Sequence, residues 1–272
     1  MNSDRGAPEI RLFLTVMGFW GIQILYYIVL TAVFGLPIPR LLVFTAASTG
    51  YHVLLYVGLR RVRREFNLEQ TGEPLRTLNL PLIISFLRLS SVPAVVFLFV
   101  SIRSLSLAWV VTPFLVAVFL TDLLDGLLAR AFKQESRIGR ILDAAGDYLL
   151  IFTVTIVFGL YRLVPWWLAS VVFVRLGLQS TGIVVLYHRK GYSSLKLTFL
   201  GKASIFSTFC LYGFELAEHL AIPVIGSPQL VTILEFMAAV ILVASLVDKI
   251  LFLRRELPAP RQQASSTDTE GL

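Results

Sequence analysis

The chain has 272 residues, of which 56% are hydrophobic, and a mean hydropathy of +0.78. Soluble domains have roughly 45–50% apolar residues, so the composition excludes an ordinary soluble enzyme and predicts one integral membrane domain. The net charge of +7 does not indicate nucleic-acid binding, because the basic residues lie between apolar segments, where they orient helices and meet anionic lipids.

Eight apolar segments follow one another along the chain, each close to the roughly 20 residues that a helix needs to cross a bilayer. Alternation at period two is absent, and lipid offers no water to satisfy the edge of a sheet, so the segments are predicted to be helices. The sequence therefore predicts an all-α polytopic membrane protein. The predicted spans are residues 12–35, 41–59, 80–102, 107–129, 143–161, 165–187, 197–220 and 229–252.

A basic, polar stretch after the second span separates two N-terminal spans from six later ones. The first span is longer than the core of a signal peptide and lacks a small-residue cleavage pattern, so we expect it to be retained as an anchor. The last residues are polar and rich in Pro, Ser and Thr, which is typical of disorder. The predicted units are a transmembrane hairpin with a basic cytoplasmic linker (1–75), a six-helix membrane domain (76–256) and a disordered cytoplasmic tail (257–272).

Lys and Arg residues predict the orientation of the spans. With a cytoplasmic N-terminus, only Arg40, Arg103 and Arg162 fall in outer loops, and the remaining basic clusters fall in inner segments. Both termini are therefore predicted to lie in the cytoplasm, and the membrane is predicted to be the inner (plasma) membrane.

Four aspartates lie on the two predicted helices that flank the inner turn at residues 133–139. Asp122 and Asp125 share a helix face at i and i+3, and Asp143 and Asp147 share one at i and i+4. The two helices are antiparallel, and equal distances from the turn give the two pairs matched depths. The sequence predicts one carboxylate cluster just inside the cytoplasmic boundary of the membrane.

Such a cluster needs compensation, because each buried charge costs roughly 2.5–3.5 kcal/mol near a helix centre. A divalent metal supplies it, and hard oxygen ligands without His or Cys favour Mg²⁺ or Mn²⁺ over Zn²⁺. Two ions would clamp a pyrophosphate for displacement at phosphorus. Gly126 and Ala129 form a small-residue strip that a nucleotide can approach, and Arg130 can pair with phosphate or a carboxylate.

The pattern over residues 122–147 is Asp-x-x-Asp-Gly-x-x-Ala-Arg, eight residues, then Gly-x-x-x-Asp-x-x-x-Asp. It resembles the motif of the CDP-alcohol phosphotransferase family at every fixed position, and the likeness extends over about residues 76–255. The resemblance implies a six-helix core and a homodimer. It also implies metal binding by Asp122, Asp125, Asp143 and Asp147, and a CDP site that includes Asp122, Gly126, Ala129, Arg130 and Gly139. The first core span carries a further part of the family pattern, with Asn79, Pro81, Ser85, Arg88 and Pro93, in which Asn79 and Arg88 would support the site.

The resemblance further implies the reaction. Asp147 would act as the general base on an acceptor hydroxyl, which attacks the phosphorus distal to cytidine and expels CMP. The expected donor is CDP-diacylglycerol, and another CDP-alcohol such as CDP-choline or CDP-ethanolamine stays open. With the charge pattern, the resemblance places the active site on the cytoplasmic side among membrane lipids.

Two basic residues are candidates for binding the acceptor alcohol. Arg175 lies inside a predicted span, where a charge usually meets an anion or lines a cavity, and Lys202 lies toward the same side. Together they predict a site for an acceptor phosphate, such as that of glycerol 3-phosphate. The spacing resembles phosphatidylglycerophosphate synthases but departs from them at Tyr148, Leu176 and Ile183, so inositol phosphate, serine or a phospholipid headgroup stays open.

Two other interpretations concern carboxylates. A cation transporter also carries intramembrane carboxylates, although such sites usually lie near the midplane within inverted repeats, and no repeat is visible here. At the outer end of the seventh span, Glu215, Glu218 and His219 are predicted to be a solvated helix end, and Glu235 a structural polar contact.

Overall fold

Seven α-helices form in the parts of the chain that the computed structural model describes, which are residues 6–62, 65–67, 80–101, 113–114, 117, 136–190, 198–219 and 227–256. In chain order they are α1 (Gly6–Phe34), α2 (Ile38–Arg61), α3 (Leu80–Ser101), α4 (Arg137–Leu160), α5 (Trp166–Lys190), α6 (Phe199–His219) and α7 (Pro228–Glu256). The all-α prediction is confirmed.

Five of these helices are long and apolar enough to cross a membrane. They are Ile10–Phe34 of α1, Ile38–Arg61 of α2, Leu82–Ser101 of α3, Arg137–Leu160 of α4 and Pro228–Arg255 of α7. The predicted fourth span, 107–129, falls almost entirely outside the described residues, and so does the predicted tail, 257–272.

The distribution of side chains is that of a protein surrounded by lipid. Large apolar residues face outward, including Leu54 at 72% and Phe206 at 71% exposure, while Arg88 and Arg175 are 1% and 2% exposed. A water-soluble protein would show the reverse arrangement, because water solvates charged groups and favours the burial of apolar surface. The helices therefore present apolar surface to the bilayer and keep charged groups between them.

Helices α3 and α4 run parallel to each other. Arg88 contacts Asp147 in their first halves, and Phe99 packs against Phe158 near their ends, with ring centroids 5.2 Å apart. The end of α3 and the start of α4 therefore lie at opposite ends of the bundle.

The later helices alternate in direction. Phe152 of α4 packs against Phe173 of α5, with ring centroids 5.6 Å apart, and Gly159 meets Trp166 across the short turn between them. Ser204 near the start of α6 donates to Ser245 in the second half of α7 at 3.2 Å. The starts of α4 and α6 and the ends of α5 and α7 thus lie at one end of the bundle.

The N-terminal hairpin of α1 and α2 packs against α3. The Tyr51 hydroxyl donates to the Leu89 carbonyl at 2.7 Å, and the Tyr27 ring packs against the Phe97 ring, with centroids 4.4 Å apart. The hairpin thus contributes directly to the apolar core around α3 and α4.

The start of α4 lies before the predicted start of its span at residue 143. Ser136 caps the helix by accepting a hydrogen bond from the Gly139 amide at 3.1 Å, which satisfies one of the free N–H groups of the first turn. The helix begins in a polar stretch because a cap, not the apolar boundary, decides where it starts.

The prediction of a solvated end for α6 is wrong for one residue. Glu215 is buried at 4% exposure, whereas Glu218 is half-buried and His219 is exposed. The start of α7 packs against the end of α6 and covers Glu215, a contact between helices that the sequence pattern of α6 does not carry.

Candidate active site

Arg88 joins two aspartates of α4. Its Nη1 atom lies 3.3 Å from Asp147 Oδ1, and its Nη2 atom lies 3.4 Å from Asp143 Oδ1. The Arg88 side chain is fully buried, while the side chains of Asp143 and Asp147 are 39% and 12% exposed. One guanidinium thus neutralises part of the charge of two carboxylates one helical turn apart.

Ser85, one turn before Arg88 on α3, also holds Asp143. Its hydroxyl donates to Asp143 Oδ1 at 2.6 Å. The side chain of Asp143 is therefore fixed by two donors from α3 and keeps an exposed edge. A carboxylate oriented in this way is suited to bind a cation from the open side.

Gly146 makes the close approach of Arg88 to α4 possible. A Cβ at this position would lie 3.0 Å from Arg88 Nε, which is closer than side chains normally approach. Gly146 was absent from the sequence prediction, although a glycine between Asp143 and Asp147 in a helix interior, where it costs about 0.5–1 kcal/mol, was a usable indication of close packing.

Gly139, predicted to line the nucleotide site, lies in the first turn of α4. Its amide donates to Ser136 Oγ, and a Cβ on it would lie 2.9 Å from that oxygen. The contact that the structure shows for Gly139 is therefore the N-terminal cap of α4.

Half of the predicted cluster falls outside the described residues. The predicted site residues for which the structure gives no position are Asn79, Asp122, Asp125, Gly126, Ala129 and Arg130. The structure therefore brings together Asp143, Asp147 and the predicted supporting residue Arg88.

Arg175 of α5 is buried near Asp147. Its Nη2 atom donates to the Gly201 carbonyl of α6 at 3.0 Å, and it lies within electrostatic range of Asp147 and Tyr148. Its Nε and Nη1 atoms have no hydrogen-bond acceptor among the described residues. Arg175 thus keeps donor capacity in the space between α4, α5 and α6.

Lys249 of α7 is a residue of this region that the sequence prediction missed. It is 8% exposed, interacts electrostatically with Arg175 and Asp248, and its ammonium lies 5.0 Å from the centroid of the Phe252 ring. The predicted partner of Arg175 was Lys202, which is exposed. Lys249 has the burial expected of a group that shares a bound anion with Arg175.

The sequence pattern of CDP-alcohol phosphatidyltransferases matches residues 78–247, which contain α3, α4 and both aspartates. The chain belongs to the CDP-alcohol phosphatidyltransferase family. The family resemblance predicted from the aspartate motif is confirmed.

Three relatives of this phosphatidyltransferase have names that describe a reaction. "Putative cardiolipin synthase" of Mycobacterium tuberculosis is 39% identical over 131 residues, 48% of this chain and 61% of that protein. "Cardiolipin synthase (CMP-forming)" of Streptomyces coelicolor is 34% identical over 146 residues, 52% and 65% of the two chains. "CDP-diacylglycerol--glycerol-3-phosphate 3-phosphatidyltransferase" of Cereibacter sphaeroides is 30% identical over 97 residues, 35% and 44%. The chain thus spans about three fifths of the length of the first two.

Members of the CDP-alcohol phosphatidyltransferase family generally depend on a divalent metal ion. The residues in place here fit such an ion, because Asp143 presents an exposed carboxylate edge and Asp147 lies on the same helix face. Both offer hard oxygen ligands, which Mg²⁺ and Mn²⁺ prefer.

Proposed function

We propose that the protein transfers a phosphatidyl group from CDP-diacylglycerol to an alcohol and releases CMP. The observation that carries the proposal is the convergence of Arg88, Asp143 and Asp147 on two parallel helices inside the region that the family pattern matches. The names of the relatives support both the donor and the release of CMP.

In this proposal the four aspartates Asp122, Asp125, Asp143 and Asp147 hold two divalent ions, Mg²⁺ or Mn²⁺. Bound metal would neutralise the pyrophosphate of the donor and stabilise the charge that develops on the leaving CMP. The nucleotide would be bound by Asp122, Gly126, Ala129, Arg130 and Gly139, with Asn79 in support.

Asp147 is the proposed general base. An ionised carboxylate can accept the proton of the acceptor hydroxyl as the oxygen attacks phosphorus. Arg88 lies 3.3 Å from one carboxylate oxygen of Asp147 and so fixes its orientation. The 12% exposure of the Asp147 side chain limits access of bulk water, which would otherwise compete as an acceptor.

Arg175 and Lys249 are the proposed phosphate-binding groups of the acceptor site. Arg175 has free donor capacity within electrostatic range of Asp147, and Lys249 approaches it from α7. A phosphate bound between them would bring the hydroxyl of the same molecule toward Asp147. Lys202 lies next to Gly201, whose carbonyl accepts from Arg175, and would contribute at the rim.

Phosphatidylglycerol is the acceptor that we favour, which makes cardiolipin the product. Two relatives with the highest identities given above carry the name cardiolipin synthase. Tyr148, Leu176 and Ile183 also depart from the pattern of phosphatidylglycerophosphate synthases. The phosphodiester of phosphatidylglycerol provides the anion that Arg175 and Lys249 require.

Glycerol 3-phosphate is the second candidate. It too carries a phosphate and a free hydroxyl, and the Cereibacter sphaeroides relative is named for it. The basic pair of Arg175 and Lys249 alone does not separate the two acceptors, because each offers one phosphate.

The proposed setting is the cytoplasmic face of the inner membrane, with eight spans and both termini in the cytoplasm. The parallel course of α3 and α4 supports the predicted span 107–129 between them, which has the length to cross a bilayer. The proposed units are the hairpin and linker, 1–75, the catalytic domain, 76–256, and the tail, 257–272, with a homodimer as the assembly.

The test uses the purified full chain in neutral detergent with CDP-diacylglycerol and Mg²⁺ or Mn²⁺. Phosphatidylglycerol, glycerol 3-phosphate, inositol phosphate and serine are supplied one at a time, and CMP and lipid products are measured by mass spectrometry. Cardiolipin with phosphatidylglycerol supports the favoured acceptor, and phosphatidylglycerophosphate alone supports the second candidate. Absence of CMP with every acceptor contradicts the proposed reaction.

A further inference from the structure

The Tyr148 hydroxyl is a buried polar group to which the proposed reaction assigns no role. Tyr148 follows Asp147 on α4, and its hydroxyl oxygen is buried without a hydrogen-bond partner in the described parts of the chain. The hydroxyl lies within electrostatic range of Arg175 on α5 and of Asp147. A buried donor without an acceptor is unfavourable, so this position indicates that an oxygen of a ligand completes the hydrogen bonding of Tyr148.

Arg175 has donors for the same ligand. Its Nη2 atom donates to the Gly201 carbonyl at 3.0 Å, and this carbonyl also accepts from Ser204 Oγ at 2.8 Å, so the guanidinium is anchored on α6. Its Nε and Nη1 atoms are buried and have no acceptor among the residues that the structure places. Tyr148 and Arg175 thus hold three buried donor atoms without acceptors on neighbouring helices. The non-bridging oxygens of a phosphate can accept hydrogen bonds from such a set.

The charges around these donors match a single negative charge. Arg175 and Lys249 supply two positive charges and interact electrostatically with each other. Asp248 interacts with the Lys249 ammonium, and its Oδ2 atom is buried, so it offsets one of the two. Asp147 has its own cation in Arg88. One positive charge is left for the acceptor.

This balance separates the two candidate acceptors. The phosphodiester of phosphatidylglycerol carries one negative charge, whereas a phosphomonoester such as glycerol 3-phosphate carries about −1.5 to −2 near neutral pH. A phenol is uncharged at this pH, so Tyr148 can donate a hydrogen bond without adding a charge. A lysine at the same position would add the second positive charge that a monoester requires.

We propose that Tyr148 donates to a non-bridging oxygen of the acceptor phosphate and, together with Asp248, makes the site selective for a singly charged phosphodiester over a phosphomonoester. The inference rests on the proposed transfer reaction and on phosphate binding by Arg175 and Lys249. It gives a physical reason for the choice of phosphatidylglycerol, which those two cations alone leave open. The selection occurs in binding, and Tyr148 takes no part in proton transfer.

Two soluble probes measure this selection without turnover. Glycerol 3-phosphate is the monoester, and glycerophosphoglycerol, the deacylated form of phosphatidylglycerol, is the diester. Their dissociation constants are measured by isothermal titration calorimetry on the full chain in neutral detergent, with Mg²⁺ and saturating CMP to occupy the proposed nucleotide site. The variants are Tyr148→Phe, Tyr148→Lys and Asp248→Asn. The matched controls are Tyr161→Phe and Tyr161→Lys, at an exposed position just after α4.

We expect the wild type to bind the diester about tenfold more tightly than the monoester. Tyr148→Phe should weaken diester binding about fivefold, as for the loss of one hydrogen bond to a charged group. Tyr148→Lys and Asp248→Asn each leave one more positive charge in the site, so each should shift the ratio of the two dissociation constants about tenfold toward the monoester. Both Tyr161 variants should bind as the wild type does.

Tighter binding of the monoester by the wild type, binding of neither probe, or a ratio that neither Tyr148→Lys nor Asp248→Asn changes would overturn the proposal. If Tyr148→Lys does not fold, Asp248→Asn tests the charge and Tyr148→Phe tests the hydrogen bond. CMP release from CDP-diacylglycerol by the same proteins separates this proposal from the transfer reaction. A shifted ratio without CMP release supports phosphate selection and contradicts the reaction, whereas CMP release with an unchanged ratio contradicts phosphate selection alone.

Discussion

The Arg88 side chain passes directly over Gly146, where a Cβ would lie 3.0 Å from the Arg88 Nε atom. This close approach lets one guanidinium reach Asp143 and Asp147 together, at 3.4 Å and 3.3 Å. The absence of a side chain at Gly146 is therefore part of the site geometry.

Gly146→Ala tests this relationship. The added methyl group displaces Arg88 from α4, so we expect kcat/KM for CMP release to fall about tenfold to a hundredfold, as for a displacement of about 1 Å at a catalytic site. Overpacking should also destabilise the fold by about 1–3 kcal/mol. Gly213→Ala is the control, because a Cβ at that position meets nothing within 4 Å. Equal rates for the wild type and Gly146→Ala would contradict the assigned geometry.

Arg88→Lys tests the need for a forked donor. An ammonium is a point charge and does not span two carboxylates as a guanidinium does, so we expect CMP release to fall at least about tenfold. Arg88→Met leaves both carboxylates without this cation and should lower the free energy of unfolding by about 3–5 kcal/mol. Arg254→Lys, at an exposed position near the end of α7, is the control. Full activity of Arg88→Lys would show that charge alone is sufficient.

Arg175→Met and Lys249→Met test the acceptor site. Each should raise the KM for the phosphate-bearing acceptor about tenfold, because a charge-assisted contact contributes about 1.5–3 kcal/mol, while the KM for CDP-diacylglycerol stays unchanged. Lys202→Met should have a smaller effect, since Lys202 is exposed. Steady-state kinetics with each substrate varied separately give the comparison. An increase in the donor KM alone would place these residues in the donor site instead.

Cysteine labelling tests the proposed orientation. In a Cys210→Ser background, Arg162→Cys and Lys202→Cys each provide one thiol, on opposite sides of the proposed membrane. A membrane-impermeant maleimide added to intact cells should label Arg162→Cys, and Lys202→Cys only after permeabilisation. The reverse pattern would contradict the charge-based topology.

Features that depend on local sequence patterns could be predicted from the sequence. Apolar length predicted the described helices, and the i, i+4 spacing predicted that Asp143 and Asp147 share a face, which their common contact with Arg88 shows. These features follow from helical periodicity alone.

Features that depend on packing between distant helices were missed. Lys249 approaches Arg175 from a helix more than 70 residues further along the chain, and no spacing rule connects them. Glu215 looked like a solvated helix end because its burial comes from α7. The role of Gly146 likewise depends on where Arg88 of another helix lies.

The central claim is that Asp147 is the general base of a CMP-releasing transfer. The most direct measurement is the rate of CMP release from CDP-diacylglycerol at saturating phosphatidylglycerol and Mg²⁺, for the wild type, Asp147→Asn and the tail variant Asp268→Asn. Loss of a general base should lower kcat about 10²–10⁴-fold in Asp147→Asn, with Asp268→Asn unchanged. Undiminished CMP release from a folded Asp147→Asn protein would contradict the claim.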